Sequence, residues 1–138
     1  MYLYLDTANA DTLAIAVVSP AGRVATQLSN PARFRQMEEL LPLVDQALKK
    51  NRLKLSDLTG VAVRQGPGGF TSLRIGVTTA NVLAYALKLP ILGLKLQDGY
   101  DLAAMLRVLP QLMKKAKKEL VIKPIYNRPP NITQSKNR

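Results

Sequence analysis

Two helix-forming segments alternate with short apolar runs, and this alternation constrains the fold more than any other feature of the sequence. Gln36 to Lys50 places Met37, Leu40, Leu41, Val44, Ala47 and Leu48 at three- and four-residue spacings, a single apolar stripe. Pro42 lies inside that stripe and has no N–H, so it must kink the helix or mark its first turn. Thr71 to Leu87 is the second helix, with Thr71 or Ser72 placed to cap it. Gly60 to Val63 stands between the helices and Leu89 to Leu94 follows them, both as short strands. Helices that cross over between strands imply parallel neighbours in the sheet. Ahead of them, Tyr2 to Leu5, Thr12 to Val18 and Arg23 to Leu28 read as an antiparallel meander. Ser19-Pro20-Ala21-Gly22 supplies its turn, and Asn30-Pro31 is expected to break it.

The order β-β-β-α-β-α-β describes one α/β domain of the ribonuclease H-like type, a mixed five-stranded sheet with flanking helices. A length of 138 residues suits a single domain. No apolar run approaches the ~20 residues of a membrane helix. The N-terminus lacks the basic region of a signal peptide. With no cysteine and no histidine, the chain has no disulfide, no thiolate nucleophile and neither of the commonest metal-ligand or general-base side chains.

Charge is unevenly spread. The net charge is +11, of which +8 falls between Arg107 and Arg138. Tyr100 to Leu109 reads as a short helix ended by Pro110, Leu112 to Glu119 as a basic continuation, and Leu120 to Tyr126 as β-type sequence. The polar, Pro-containing stretch from Asn127 to Arg138 reads as a frayed end. Lys114, Lys115, Lys117, Lys118, Lys123 and Arg128 are candidate phosphate contacts, or simply a solvated tail.

The loop from Arg64 to Phe70 follows a strand and opens a helix. Gly66, Pro67 and Gly68 suit a tight turn, and the helix start could hold an anion. It is neither a P-loop nor GxGxxG, since Phe70 precedes Thr71 where a lysine would be needed. Arg74 could meet an anion, a partner carboxylate or the loop's own carbonyls, and Phe70 is core or a wedge. In the following helix Gly76, Ala80 and Ala84 form a small-residue strip that would let a second helix approach closely. The other faces are apolar too, including Leu83 and Leu87. Such a helix presents an interface unless the basic C-terminal segment folds back over it. Met37, Leu40, Leu41, Val44 and Leu48 on the first helix are core or interface, which periodicity cannot separate.

These motifs resemble the TsaB (YeaZ) family. The resemblance rests on Leu5-Asp6-Thr7, on Leu41-Pro42 followed by Val44, and above all on Gly66-Pro67-Gly68-Gly69-Phe70-Thr71-Ser72-Leu73-Arg74-Ile75-Gly76. The last is similar to the family's GPGSFTGLRIG, with Gly69 for Ser and Ser72 for Gly. Leu89-Pro90-Ile91-Leu92-Gly93 and Pro124-Ile125-Tyr126-Asn127-Arg128-Pro129 match further family stretches. Gln36 stands near where members often carry a histidine. The resemblance divides the chain into an N-terminal domain over residues 1–94, a basic segment over 95–120 and a C-terminal strand and tail over 121–138. The middle segment stands where typical members carry a second actin-like domain.

The resemblance implies an actin-like ATPase (ASKHA) fold and a cytoplasmic, noncatalytic subunit for threonylcarbamoyladenosine synthesis on tRNA. The implied partners are the catalytic paralogue TsaD, met through the two helices, and the ATPase TsaE, with a homodimer in the paralogue's absence. tRNA is reached indirectly or through the basic segment. The chain would carry no cofactor or metal of its own, and no ATP site carries over to Asp6-Thr7. A basic RNA-binding module and a two-metal nuclease are the alternatives. For the nuclease, Asp6 lies at a strand end, but Asp98, Asp101, Glu38 and Glu39 fall on helices or loops.

Overall fold

The computed structural model describes residues 1–126. Five strands form one sheet: β1 (Tyr2–Asp6), β2 (Thr12–Val18), β3 (Val24–Pro31), β4 (Gly60–Gly66) and β5 (Ile91–Lys95), in the order β3-β2-β1-β4-β5. The pairs β3–β2 and β2–β1 are antiparallel, while β1–β4 and β4–β5 are parallel. Helices α1 (Gln36–Lys50), α2 (Phe70–Leu87) and α3 (Leu102–Leu112) complete the framework. The mixed sheet and its crossovers are those expected from the sequence.

Strand alternation sorts the core into two halves. Leu3, Leu5, Leu13, Ile15, Val17, Val61 and Val63 pack with α1 and α2 on one face. Tyr4, Ala16, Val18 and Ala62 pack on the other with Met105, Leu106 and Leu109 of α3, and with Met113 in the 3-10 turn beyond it. The sheet is therefore covered on both sides, which is why β1 and β4 read as continuous apolar runs.

Several boundaries differ from expectation. Asn30-Pro31 does not break β3: the strand runs through it, which an edge strand allows because one side of its backbone needs no partner. Strand β4 extends through Arg64 to Gly66, so the loop is shorter than expected. Helix α2 starts at Phe70, and its N-cap is Gly69 rather than Thr71 or Ser72. Pro42 lies inside α1, beyond its first turn. Pro110 lies within α3, which ends at Leu112, and the expected basic helix over 112–119 is a single 3-10 turn, Met113–Lys115. Beyond that turn, Lys117 bridges to Ile91 at the β5 edge. The stretch from Leu120 to Tyr126 forms no regular strand. The tail expected to fray, including Arg128, lies outside the described residues. No helix among the described residues is long and apolar enough to cross a membrane.

Candidate functional site

The C-terminal ends of β1 and β4 hold the densest polar cluster. Alternation sends Asp6 to the α3 face and Thr7 to the α2 face. The Asp6 carboxylate accepts from the Tyr100 hydroxyl at 2.7 Å, from the Ala8 N–H at 2.9 Å and from Arg64 at 3.5 Å. Tyr100 also shares a 2.7 Å hydrogen bond with Tyr4. The buried Arg64 donates to the Leu96 carbonyl at 3.0 Å and to Asp98 at 2.9 Å, and its guanidinium lies 5.3 Å from the Tyr100 ring centroid. Arg64 thus ties β1 and β4 to the loop that leads into α3.

Burial and the neighbouring Asp6 carboxylate hold both phenols, Tyr4 and Tyr100, well above the usual tyrosine range. Released into the unfolded chain, they ionise near pH 10. The native state therefore gains stability below that pH and loses it as pH rises beyond it. Thermal melts from about pH 8 to about pH 11 should show the midpoint falling above about pH 10. The fall should be shallower in Tyr100→Phe.

The nuclease expectation lacks its donor set. Among the described residues no three His, Cys, Asp or Glu side chains gather to hold a metal. Asp98 meets the Arg64 guanidinium, Asp101 caps α3 by accepting from the Ala104 N–H at 3.0 Å, and Glu38 and Glu39 pair with Arg35 on α1.

On the opposite face, the Thr7 hydroxyl donates to the Ser72 carbonyl at 2.5 Å and accepts from the Gly76 N–H at 3.1 Å. This corrects the expected interface strip. Gly76, Ala80 and Ala84 are buried against the sheet, not turned to a partner, because small residues let α2 lie close to β1 and β4. An arginine at position 80 would report on folding, not on docking. Leu40, Val44 and Leu48 are likewise core residues of this domain, and Leu83 and Leu87 are half-buried against it.

Of the residues expected at an interface, Met37 and Leu41 lie exposed on α1, while the exposed side chains of α2 differ from the expected strip. Met37 is 76% exposed and Leu41 54% on α1, and Val82 is 59% and Tyr85 87% exposed on α2. Between the helices runs a groove of 460 Å³ lined by Met37, Thr71, Arg74, Ile75, Thr78 and Thr79. Among the described residues nothing after β5 lines this groove: α3 folds onto the other side of the sheet, and residues 122–126 return to α2 at Asn81 and Phe70.

In the motif loop, the peptide between Gly66 and Pro67 is cis, and Gly68 fits between Ala8 and Leu73. Phe70 is neither core nor wedge: it is 43% exposed and stacks on Tyr126 with centroids 4.5 Å apart. The Arg74 guanidinium lies 5.3 Å from the Phe70 centroid. Lys114, Lys115, Lys117, Lys118 and Lys123 are all exposed. Lys114 and Arg107 flank a second groove of 430 Å³, between α3 and the β2–β3 turn.

Sequence reasoning misses the roles of three contributors: it offers Asp98 only as a nuclease carboxylate, places Gln36 only near a family histidine and assigns Tyr100 nothing. Tyr100 and Asp98 come from a loop without a motif. Gln36 is buried, and its amide donates to the carbonyls of Thr7, Asn9 and Thr12 at 3.2, 2.8 and 2.8 Å. A polar residue in register with Leu40, Val44 and Ala47 on the buried stripe was the available signal for Gln36.

A family model described as TsaD, tRNA N6-adenosine threonylcarbamoyltransferase, matches residues 32–119. A protein of that name from Syntrophus aciditrophicus (strain SB) is 38% identical over 75 residues, covering 54% of this chain and 22% of the relative. Another, from Geotalea uraniireducens (strain Rf4), is 33% identical over 122 residues, covering 77% of this chain and 35% of the relative. Among solved structures, YeaZ from Pseudomonas aeruginosa is similar at a TM-score of 0.63 and 30% identity, over 68% of this chain and 43% of that one. The fold is thus that of an actin-like, ribonuclease H-like ASKHA domain. The chain belongs to the TsaD family, as a TsaB (YeaZ)-like member. It spans about a fifth to a third of the length of these curated relatives and under half of the solved one.

Proposed function

We propose that this chain is a noncatalytic accessory subunit for threonylcarbamoyladenosine modification of tRNA, docking on the catalytic paralogue TsaD through the outer face of α1 and α2. The observation that carries the reading is the exposure of Met37 and Leu41 on α1 and of Val82 and Tyr85 on α2, the two helices that flank the groove. Large apolar side chains left in water on two neighbouring helices mark a surface that a partner covers. Two helices laid against two of a paralogue make a four-helix contact with ridges in grooves. Without the paralogue, the same face serves an isologous homodimer.

The accessory part of the proposal is supported by the end of β1, where Asp6 is engaged by Tyr100, Ala8 and Arg64. We assign these residues no nucleotide or metal. TsaE completes the proposed assembly, which works in the cytoplasm. Residues 95–120 take the place of a second actin-like domain in this reading, by roofing the sheet. tRNA is met through the paralogue and through the exposed lysines, which lie outside the ion pairs found among the described residues.

Light scattering of the chain mixed with its organism's TsaD tests the proposal. A one-to-one complex is expected, and Tyr85→Arg should weaken it by tenfold or more, as for an interface anchor worth about 2 kcal/mol. Because Tyr85 is exposed, the variant should melt as the unmodified chain does. Absence of a complex, or an affinity indifferent to Tyr85→Arg, overturns the reading.

A further inference from the structure

Residues 122–126 lie across the crease where β4, β5 and α2 meet, and the crease reads their backbone. Asn81 of α2 accepts from the Ile122 N–H and donates to the Ile122 carbonyl, each at 2.9 Å. The Gln65 side chain donates to the Lys123 carbonyl at 2.8 Å, and the Gln65 carbonyl accepts from the Ile125 N–H at 2.7 Å. The Ile122 side chain is buried against the main core. It sits over Gly93, where a Cβ would stand 3.0 Å from its Cγ2. A Cβ at Gly66 would strike the Ile125 carbonyl, so Gly66 makes room for the segment, while one at Gly93 would first meet the Gln65 amide that holds Lys123. Tyr126 ends the stretch, stacked on Phe70.

The approach to this segment is an exposed link beyond Lys117, which is tied to Ile91: residues 118–121 are exposed, and Glu119 turns the chain with a φ of 59°. An apolar pocket, an aromatic platform and four hydrogen bonds to backbone groups are the means by which proteins bind extended peptides. Here the receptor and its ligand share one chain, joined by an exposed link.

We propose that this crease is a peptide-binding site for an extended Ile-x-Pro-Ile-Tyr segment, filled in cis by residues 122–126 and open to the same segment of a second copy. Exchange between copies reuses every contact and requires only that the exposed link open. The site uses Asn81, Gln65, Gly93 and Phe70, none of which lines the α1–α2 groove, so it stands independently of the docking role.

The test uses the full chain carrying Ile122→Asp, which vacates the crease, and a fluorescent synthetic peptide of residues 119–126. Fluorescence anisotropy should show saturable binding to the variant, at least tenfold tighter than to the unmodified chain, whose crease is filled. Adding Asn81→Ala to the variant should weaken binding at least tenfold. If Ile122→Asp loses its helical circular dichroism, the milder Ile122→Ala is read in the same assay. No binding to the vacated chain, or binding indifferent to Asn81→Ala, overturns the proposal. Neither result depends on TsaD, so failure here is separable from failure of the docking reading.

Discussion

Replacing Arg64 by methionine should destabilise the domain by about 3–5 kcal/mol, the usual consequence of removing one partner from a buried ion pair. Arg64 and Asp6 are both almost wholly shielded from water, with side-chain exposures of 5% and 11%. Methionine fills comparable volume but leaves the Asp6 carboxylate without its cation and the Leu96 carbonyl without its donor. The thermal midpoint should fall by ~10 °C or more. Adding Asp6→Asn should recover part of that loss, because the uncompensated charge goes with it. A double variant no more stable than Arg64→Met would show that the arginine acts by packing and by holding the 96–98 loop, not by charge.

Gly76→Val should have a comparable effect through steric collision. A Cβ at position 76 would stand 2.5 Å from Thr7 Oγ1. Either α2 lifts from the sheet or Thr7 swings away and loses both hydrogen bonds. Overpacking of this kind costs about 1–3 kcal/mol, and a buried hydroxyl left unpaired about 1–3 kcal/mol more. Thr7→Val keeps the volume and removes only the hydrogen bonds, so it should show the smaller loss by itself. Urea unfolding of both variants measures the two contributions. If Gly76→Val were as stable as the unmodified chain, the close approach of α2 to β1 would not be what selects glycine there.

Much of this fold was legible because local pattern and tertiary role agree. The stripe of α1 gave its limits as Gln36 and Lys50, and the short apolar runs gave all five strands. The small-residue strip on α2 was also visible, but its direction was not. Close approach to a sheet and close approach to a partner helix require the same residues, and only the position of Thr7 separates them. Met37 and Leu41 were among the residues expected to be core or interface, but Val82 and Tyr85 were hidden for a related reason: α2 is apolar on nearly every side, so hydropathy alone gives it no inside.

The polar cluster was harder still. Its members come from β1, β4 and the 96–101 loop, brought together by sheet pairing and by the packing of α3. Periodicity carries no information about contacts at such separations. One sign was available in Tyr4, Ala16 and Ala62, which alternate with the α1/α2-facing residues yet are themselves apolar. A sheet apolar on both faces needs two covers, and the chain after β5 was the only part left to supply the second.

The neighbouring positions Asp6 and Thr7 engage opposite layers of the molecule. One grips the arginine and tyrosine under α3, and the other grips the start of α2. A strand repeats every two residues, so losing or gaining one residue within β1 would exchange the two. A carboxylate would then be driven against Gly76, and a neutral hydroxyl would face Arg64. This strand can drift in composition far more readily than in length, which makes the spacing from Tyr2 to Thr7 the phase reference for both helical layers.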